Sequence, residues 1–135
     1  MGGRRKAREM VLNGLYYHEM TGIDSTSLLQ HVANKKVMDK EIKEYATRLL
    51  EETMKNLIVI DKKLTKIIKN WDLDRVAVID KCILRLATAE LLFFPDIPVK
   101  VSIDEAVEIA KKYSTENSGG FVNGILDEIA REENL

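Results

Sequence analysis

A single cysteine, Cys82, leaves nothing for it to pair with inside the chain, so a disulfide framework is excluded. Flanked by Ile83 and Leu84, it reads as a small buried hydrophobe rather than a redox centre. Prolines are scarce, two in 135 residues, and the seven glycines are scattered, so long helices are permitted almost everywhere. No apolar run approaches the roughly 18 to 20 residues that cross a bilayer, and the basic start leads to Glu9 and Asn13 instead of a signal-type apolar stretch. The expectation is a cytoplasmic protein without a membrane segment.

Catalytic and metal-binding patterns are equally thin. His18 and His31 have no cysteine near them and no metal-ligand spacing, so neither a metal nor a cofactor is expected. No nucleophile elbow or phosphate loop occurs, and Gly119-Gly120 with Gly124 lacks the preceding strand of a dinucleotide fingerprint. Glu51 and Glu52, adjacent on a helix, point in different directions and read as solvated charges. An enzyme is not expected.

What the chain does have is helical periodicity over one domain's worth of residues, 1–135, with 45% hydrophobic and 32% charged residues. Ala7, Met10, Val11, Gly14 and Leu15 give a buried stripe for a helix from Arg4 to about Met20, and Gly14 suggests a close helix crossing. Thr21 to Ser25 predicts a helix stop followed by a cap, with a short helix through Leu28, Leu29 and Val32. Asp39 predicts a new cap. From Ile42 to Ile68 the pattern fits one long helix or two with a break near Asn56. Trp71 to Asp74 predicts a connection that caps the next helix, whose stripe from Val76 to Phe94 is apolar almost all round after Cys82, as in a helix at the centre of a bundle. Pro95 and Pro98 end it. Ser102 with Glu105 matches a capping box for a helix to about Tyr113, Thr115 to Gly120 reads as a loop, and Phe121 to Ile129 as the last helix. The fold class is all-α.

The net charge of -1 conceals a segregation. Residues 1–70 carry 14 Lys and Arg against 9 Asp and Glu, while residues 71–135 carry 7 against 13. An anionic partner for the first half and a basic one for the second fit this split. The cations concentrate at the start, Arg4-Arg5-Lys6-Ala7-Arg8-Glu9, directly on the first helix. At about 100° per residue, Arg5, Arg8, Leu12 and Tyr16 share a strip within roughly 80°, beside the buried stripe. Guanidinium groups pair with phosphate oxygens and a tyrosine stacks on an unpaired base, the combination used for single-stranded nucleic acid. The same run also reads as a solvated helix end with Tyr16 half-buried in the core. Cations at a helix N-terminus are electrostatically disfavoured, which tilts slightly towards function.

Three stretches in this order resemble the NusB family of bacterial transcription antitermination factors over essentially the whole chain. They are Arg4 to Glu9 leading to Leu15-Tyr16; Asp80 to Ala87 with Glu90-Leu91; and Ile103 to Tyr113 running into Phe121-Val122-Asn123-Gly124-Ile125-Leu126-Asp127. The resemblance implies about seven helices arranged as two small bundles, and a non-enzymatic protein that binds boxA-type single-stranded RNA of ribosomal RNA leaders. It implies binding together with NusE, a small-subunit ribosomal protein, within an RNA polymerase antitermination complex. By analogy Arg4, Arg5, Lys6, Arg8 and Tyr16 match the RNA-binding start, Asp80 and Lys81 lie at or beside the RNA surface, and Phe121 and Asn123 add stacking or hydrogen bonds. A core Phe and a helix-start Asn explain the last two equally well. Glu116, Asn117 and the helix bearing Asp80 are the expected NusE contacts. The family commonly has a lysine where this chain has Gly120, which removes one phosphate contact. The resemblance also leaves room for a homodimer that masks the RNA surface. If all four N-terminal cations neutralise phosphates, log K should vary with log salt with a slope of about -3. The alternatives are a purely protein-binding helical adaptor, and a module related to ribosomal RNA methyltransferases, which share this fold. For the latter, the absence of a cofactor-binding domain before Leu135 argues against the enzyme itself.

Overall fold

The computed structural model describes residues 2–36, 39–68 and 75–135, and every regular element among them is a helix. In chain order these are α1 (Gly2–Thr21), α2 (Ser25–Ala33), α3 (Lys40–Lys55), α4 (Leu57–Ile67), α5 (Val78–Phe93), α6 (Val99–Tyr113) and α7 (Ser118–Glu132). No described helix is long and apolar enough to cross a membrane.

The local chemistry of the breaks follows the residues. Gly22 takes a positive φ of 72°, a conformation that glycine reaches without a Cβ penalty, and its N–H donates to the His18 carbonyl at 2.9 Å. Asp24 then caps α2 by accepting from the Ser27 N–H at 2.8 Å, and Asp39 caps α3 by accepting from Glu41 at 2.8 Å. Asn56 separates α3 from α4, so the long periodic segment is two helices. The expected cap at Trp71 to Asp74 lies outside the described residues.

Two boundaries differ from the sequence reading. α6 begins at Val99, three residues before Ser102, because Pro98 at its N-cap fits the first turn without needing an amide donor. Ser102 and Glu105 therefore form no capping box; both side chains turn to tertiary partners. α7 begins at Ser118 instead of after Gly120. Gly119, in its first turn, faces α6 closely: a Cβ at that position would sit 3.3 Å from Lys111 Cγ.

α1, α2 and α3 pack on one another, as do α4, α5, α6 and α7, and α5 also touches α1 and α3. This is the two-bundle arrangement, with α5 as the shared member. Every residue of α5 from Asp80 to Leu91 is buried. The buried apolar side chains of all seven helices join in one cluster, with Leu15, Leu49, Leu84, Phe94, Ile109 and Leu126 among the largest. Gly14 lies where α1 meets α2 and α3, but a Cβ there would find Leu50, Leu28 and Val32 at 3.6 to 3.7 Å, so the crossing is ordinary rather than close.

Candidate nucleic-acid interface

An apolar helix that carries Glu90 in its most buried stretch needs a cation there, because an unpaired buried carboxylate would be costly. Arg8 supplies it. Its Nε donates to Glu90 Oε2 at 2.9 Å and its Nη2 to Oε1 at 2.8 Å, and the residue is 3% exposed. Tyr45 Oη and Ser102 Oγ each donate to Glu90 at 2.6 Å, completing its lone pairs. Burial opposes the Arg8 charge, yet the hydrogen bonds and charge of Glu90 outweigh it and hold the guanidinium more firmly protonated than usual. Burial, then the bond to Glu90, pushes the Tyr45 hydroxyl well above its ordinary range.

This network fixes the start of α1 against α3, α5 and α6. Arg5, one turn earlier, makes a two-pronged contact with Glu105, Nε to Oε1 at 3.0 Å and Nη2 to Oε2 at 2.6 Å. The hydrogen bonds and charge of Arg5 hold the Glu105 carboxyl below the usual range. The Arg5 side chain remains 43% exposed, so its outer edge still faces water. Arg4 is exposed and lies over the Tyr45 ring, 5.0 Å from its centroid. Lys6 is exposed, and Tyr16 is 40% exposed farther along the helix.

Arg4, Arg5, Lys6 and Tyr16 are therefore accessible along α1, while three other residues expected at the RNA surface are buried. Arg8 is a buried structural cation. Asp80 and Lys81 are buried as well, each holding a neighbouring element. Asp80 Oδ2 accepts from Ser118 Oγ at 2.9 Å and so seats the start of α7, while Lys81 Nζ donates to Glu19 at 2.6 Å and holds the end of α1. Arg85 shares Glu19 at 2.9 Å and pairs with Asp61 on α4. Hydrogen bonds from Lys81, then Arg85, outweigh burial and lower the Glu19 carboxyl below its usual range. Lys81 and Arg85 thus hold α1 and α4 through ion pairs, whereas Asp80 meets only the Ser118 hydroxyl and its Oδ1 is buried without a hydrogen-bond partner.

On α7, Phe121 is partly buried and packed against the core, and Asn123 is exposed in the helix rather than at its start. Glu116 and Asn117 are exposed in the turn before α7, and Gly120 is exposed with nothing within 4 Å of where a Cβ would lie. Cys82 is buried, and burial pushes its thiol up to about 11, which makes it a poor thiolate source. No group of three or more His, Cys, Asp or Glu that could hold a metal occurs among the described residues.

Sequence reasoning missed Tyr45, Ser102 and Glu105 as members of the Arg8 network. The usable signal was Glu90 itself, the one acid in the largely apolar stretch from Cys82 to Phe94, which called for a cation from another helix.

The model of the NusB family matches residues 5–131. The transcription antitermination protein NusB of Thermotoga maritima is 46% identical over 129 residues, spanning 96% of this chain and 91% of its own. A solved structure of T. maritima NusB has a TM-score of 0.88 at 47% identity, covering 96% of this chain and 91% of that one. A crystal structure of antitermination factors NusB and NusE in complex with dsRNA matches with a TM-score of 0.87 at 29% identity, covering 98% of both chains.

Proposed function

The chain belongs to the NusB family, and we propose from that premise that it is a non-enzymatic transcription antitermination factor, binding RNA in company with NusE. The RNA is boxA-type and single-stranded where it meets Tyr16, and the complex serves RNA polymerase in ribosomal RNA operons. The observation that carries this reading is the set of exposed Arg4, Lys6 and Tyr16 with half-exposed Arg5 on a helix start anchored from below by the Arg8–Glu90 pair. Cations fixed on a rigid element present phosphate contacts at set spacing, and an exposed ring offers a face to an unpaired base. The solved relative that holds NusB with NusE and dsRNA supports both kinds of partner.

The basic contacts attract and orient; base discrimination falls to Tyr16 and to Asn123, exposed in the second turn of α7. Glu116 and Asn117, exposed in the preceding turn, are the part of the NusE surface this reading retains. The α5 contact is dropped, since Asp80 is inside the protein.

The test is RNA binding by fluorescence anisotropy, with and without NusE, using single-stranded boxA-like RNA, a scrambled strand and a duplex. Tighter binding to the boxA-like strand than to the scrambled one, strengthened by NusE, is expected. Equal binding to all three would reduce the protein to a polyanion binder. Binding to none, with NusE present or absent, would favour a purely protein-binding adaptor.

A further inference from the structure

A second exposed strip runs along α1, distinct from the one bearing Arg5 and Tyr16. Lys6, Asn13 and Tyr17 fall within about 40° of one another, since eleven residues make almost three whole turns, and the line they form is turned roughly 90° from Arg5 and Tyr16. From Lys6 to Tyr17 it extends about 16 Å. Its first part is the floor of a groove of about 830 Å³, walled by Lys36, Asp39 and Lys40 on one side and Tyr113 on the other. Its far end is aromatic: Tyr17, 46% exposed, stacks on His31 with ring centroids 5.9 Å apart and planes 26° from parallel.

Two carboxylates also line the groove, and both are occupied. Glu9 accepts from Lys112 Nζ at 2.9 Å, and Asp39 is held by the Glu41 N–H at the start of α3. Lys40 is 3.7 Å from Glu44, an exposed and loose pairing, and Lys6 and Lys36 are exposed. The balance in the groove is cationic. One helical turn beyond Asn13, which lines the groove, Tyr17 is stacked on one side and still partly open to solvent.

We propose that this groove and the Tyr17–His31 platform bind a further stretch of single-stranded RNA, beyond the segment met by Tyr16. Phosphates lie against Lys6, Lys36 and Lys40, and an unpaired base continues the stack on Tyr17. A duplex does not fit this description, because its bases offer no free face to a ring. Tyr16 and Tyr17, adjacent in sequence, point about 100° apart, so they take different bases and the strand bends across α1. The inference rests on the RNA-binding reading above and extends it to a second subsite.

The experiment compares a short boxA-like strand with the same strand extended by a few uridines at either end, for wild type, Tyr16→Ala, Tyr17→Ala and Tyr17→Phe. Wild type is expected to bind one extended strand about tenfold tighter than the short one, the gain that one stacked base supplies. Tyr17→Ala loses that gain and keeps the affinity for the short strand; Tyr17→Phe keeps both; Tyr16→Ala weakens both strands. Tyr17 is exposed, so these variants fold. If Tyr17→Ala binds the extended strand as wild type does, or weakens both strands equally, the second subsite is wrong while the RNA reading stands. If wild type binds no strand of either length, the RNA reading itself fails. A Tyr17→Ala effect confined to NusE binding or self-association would assign the platform to a protein partner and overturn the proposal.

Discussion

Lys6 and Arg8 stand two residues apart in one basic run, and they inhabit opposite environments. Lys6 is exposed at the edge of an open groove, whereas Arg8 is buried under α1 with Glu90, Tyr45 and Ser102 around it. Both look alike as sequence. The difference teaches that a cationic run on an amphipathic helix is two populations: cations on the outer face can be lent to a polyanion, while one on the inner face is already committed. Arg5 is intermediate, bonded to Glu105 but open at its edge.

The sharpest way to break this comparison is to remove each member in turn. Arg8→Ala leaves Glu90 buried without its counter-charge, and a loss of about 3 to 5 kcal/mol in unfolding free energy is expected. Urea denaturation measures it; a change of a few tenths would mean that Arg8 is not structural. Arg4→Ala with Lys6→Ala, by contrast, should leave stability nearly unchanged and flatten the salt dependence of RNA binding by about 1.4 in log–log slope. With Arg8 withdrawn from the phosphate contacts, the three remaining cations account for a slope near -2 rather than -3.

Smaller effects sharpen the boundary between lent and committed charge. Gly120→Lys introduces the side chain that the family resemblance implies there, into open space on α7, and should steepen the salt slope by about 0.7 with no loss of stability. An unchanged slope would place Gly120 away from the RNA. Glu105 titrates below its ordinary value because Arg5 holds it charged, so its contribution to stability is present at neutral pH. That contribution disappears as the pH falls below about 4.3, the unfolded value, and through the lower folded one. Glu105→Gln should therefore flatten part of the acid limb of a stability–pH profile and, by releasing Arg5, raise RNA affinity slightly. An acid limb identical to wild type would show that the pair contributes nothing measurable, as exposed pairs often do.

Much of the helical order was legible because periodicity and punctuation act locally. Gly22 with Asp24, Asp39 and the break at Asn56 were readable from side chains that bond to their own backbone within a few residues. The central place of α5 was readable from its unbroken apolar surface. The misreadings share a cause. Ser102 and Glu105 have the spacing of a capping box, but spacing does not show that Glu90 and the N-terminal arginines compete for the same side chains. Asp80 and Lys81 were placed at or beside the RNA surface by the family resemblance, and nothing in the sequence shows that Ser118 and Glu19 come from other helices to meet them inside the protein. Tyr17 and His31 were passed over because they are fourteen residues apart and meet only when α2 folds back beside α1.

The sequence by itself determined that this protein is all-helical, where most of its helices start and stop, and that a cationic, aromatic helix stands first. Those properties depend on hydrophobic period, caps and breakers, which operate over one or two turns. Only the tertiary structure decided which cations are free. Whether an arginine serves the fold or a ligand depends on whether a carboxylate from a distant helix reaches it out of water, and that is a matter of packing across some eighty residues of chain, from Arg8 to Glu90.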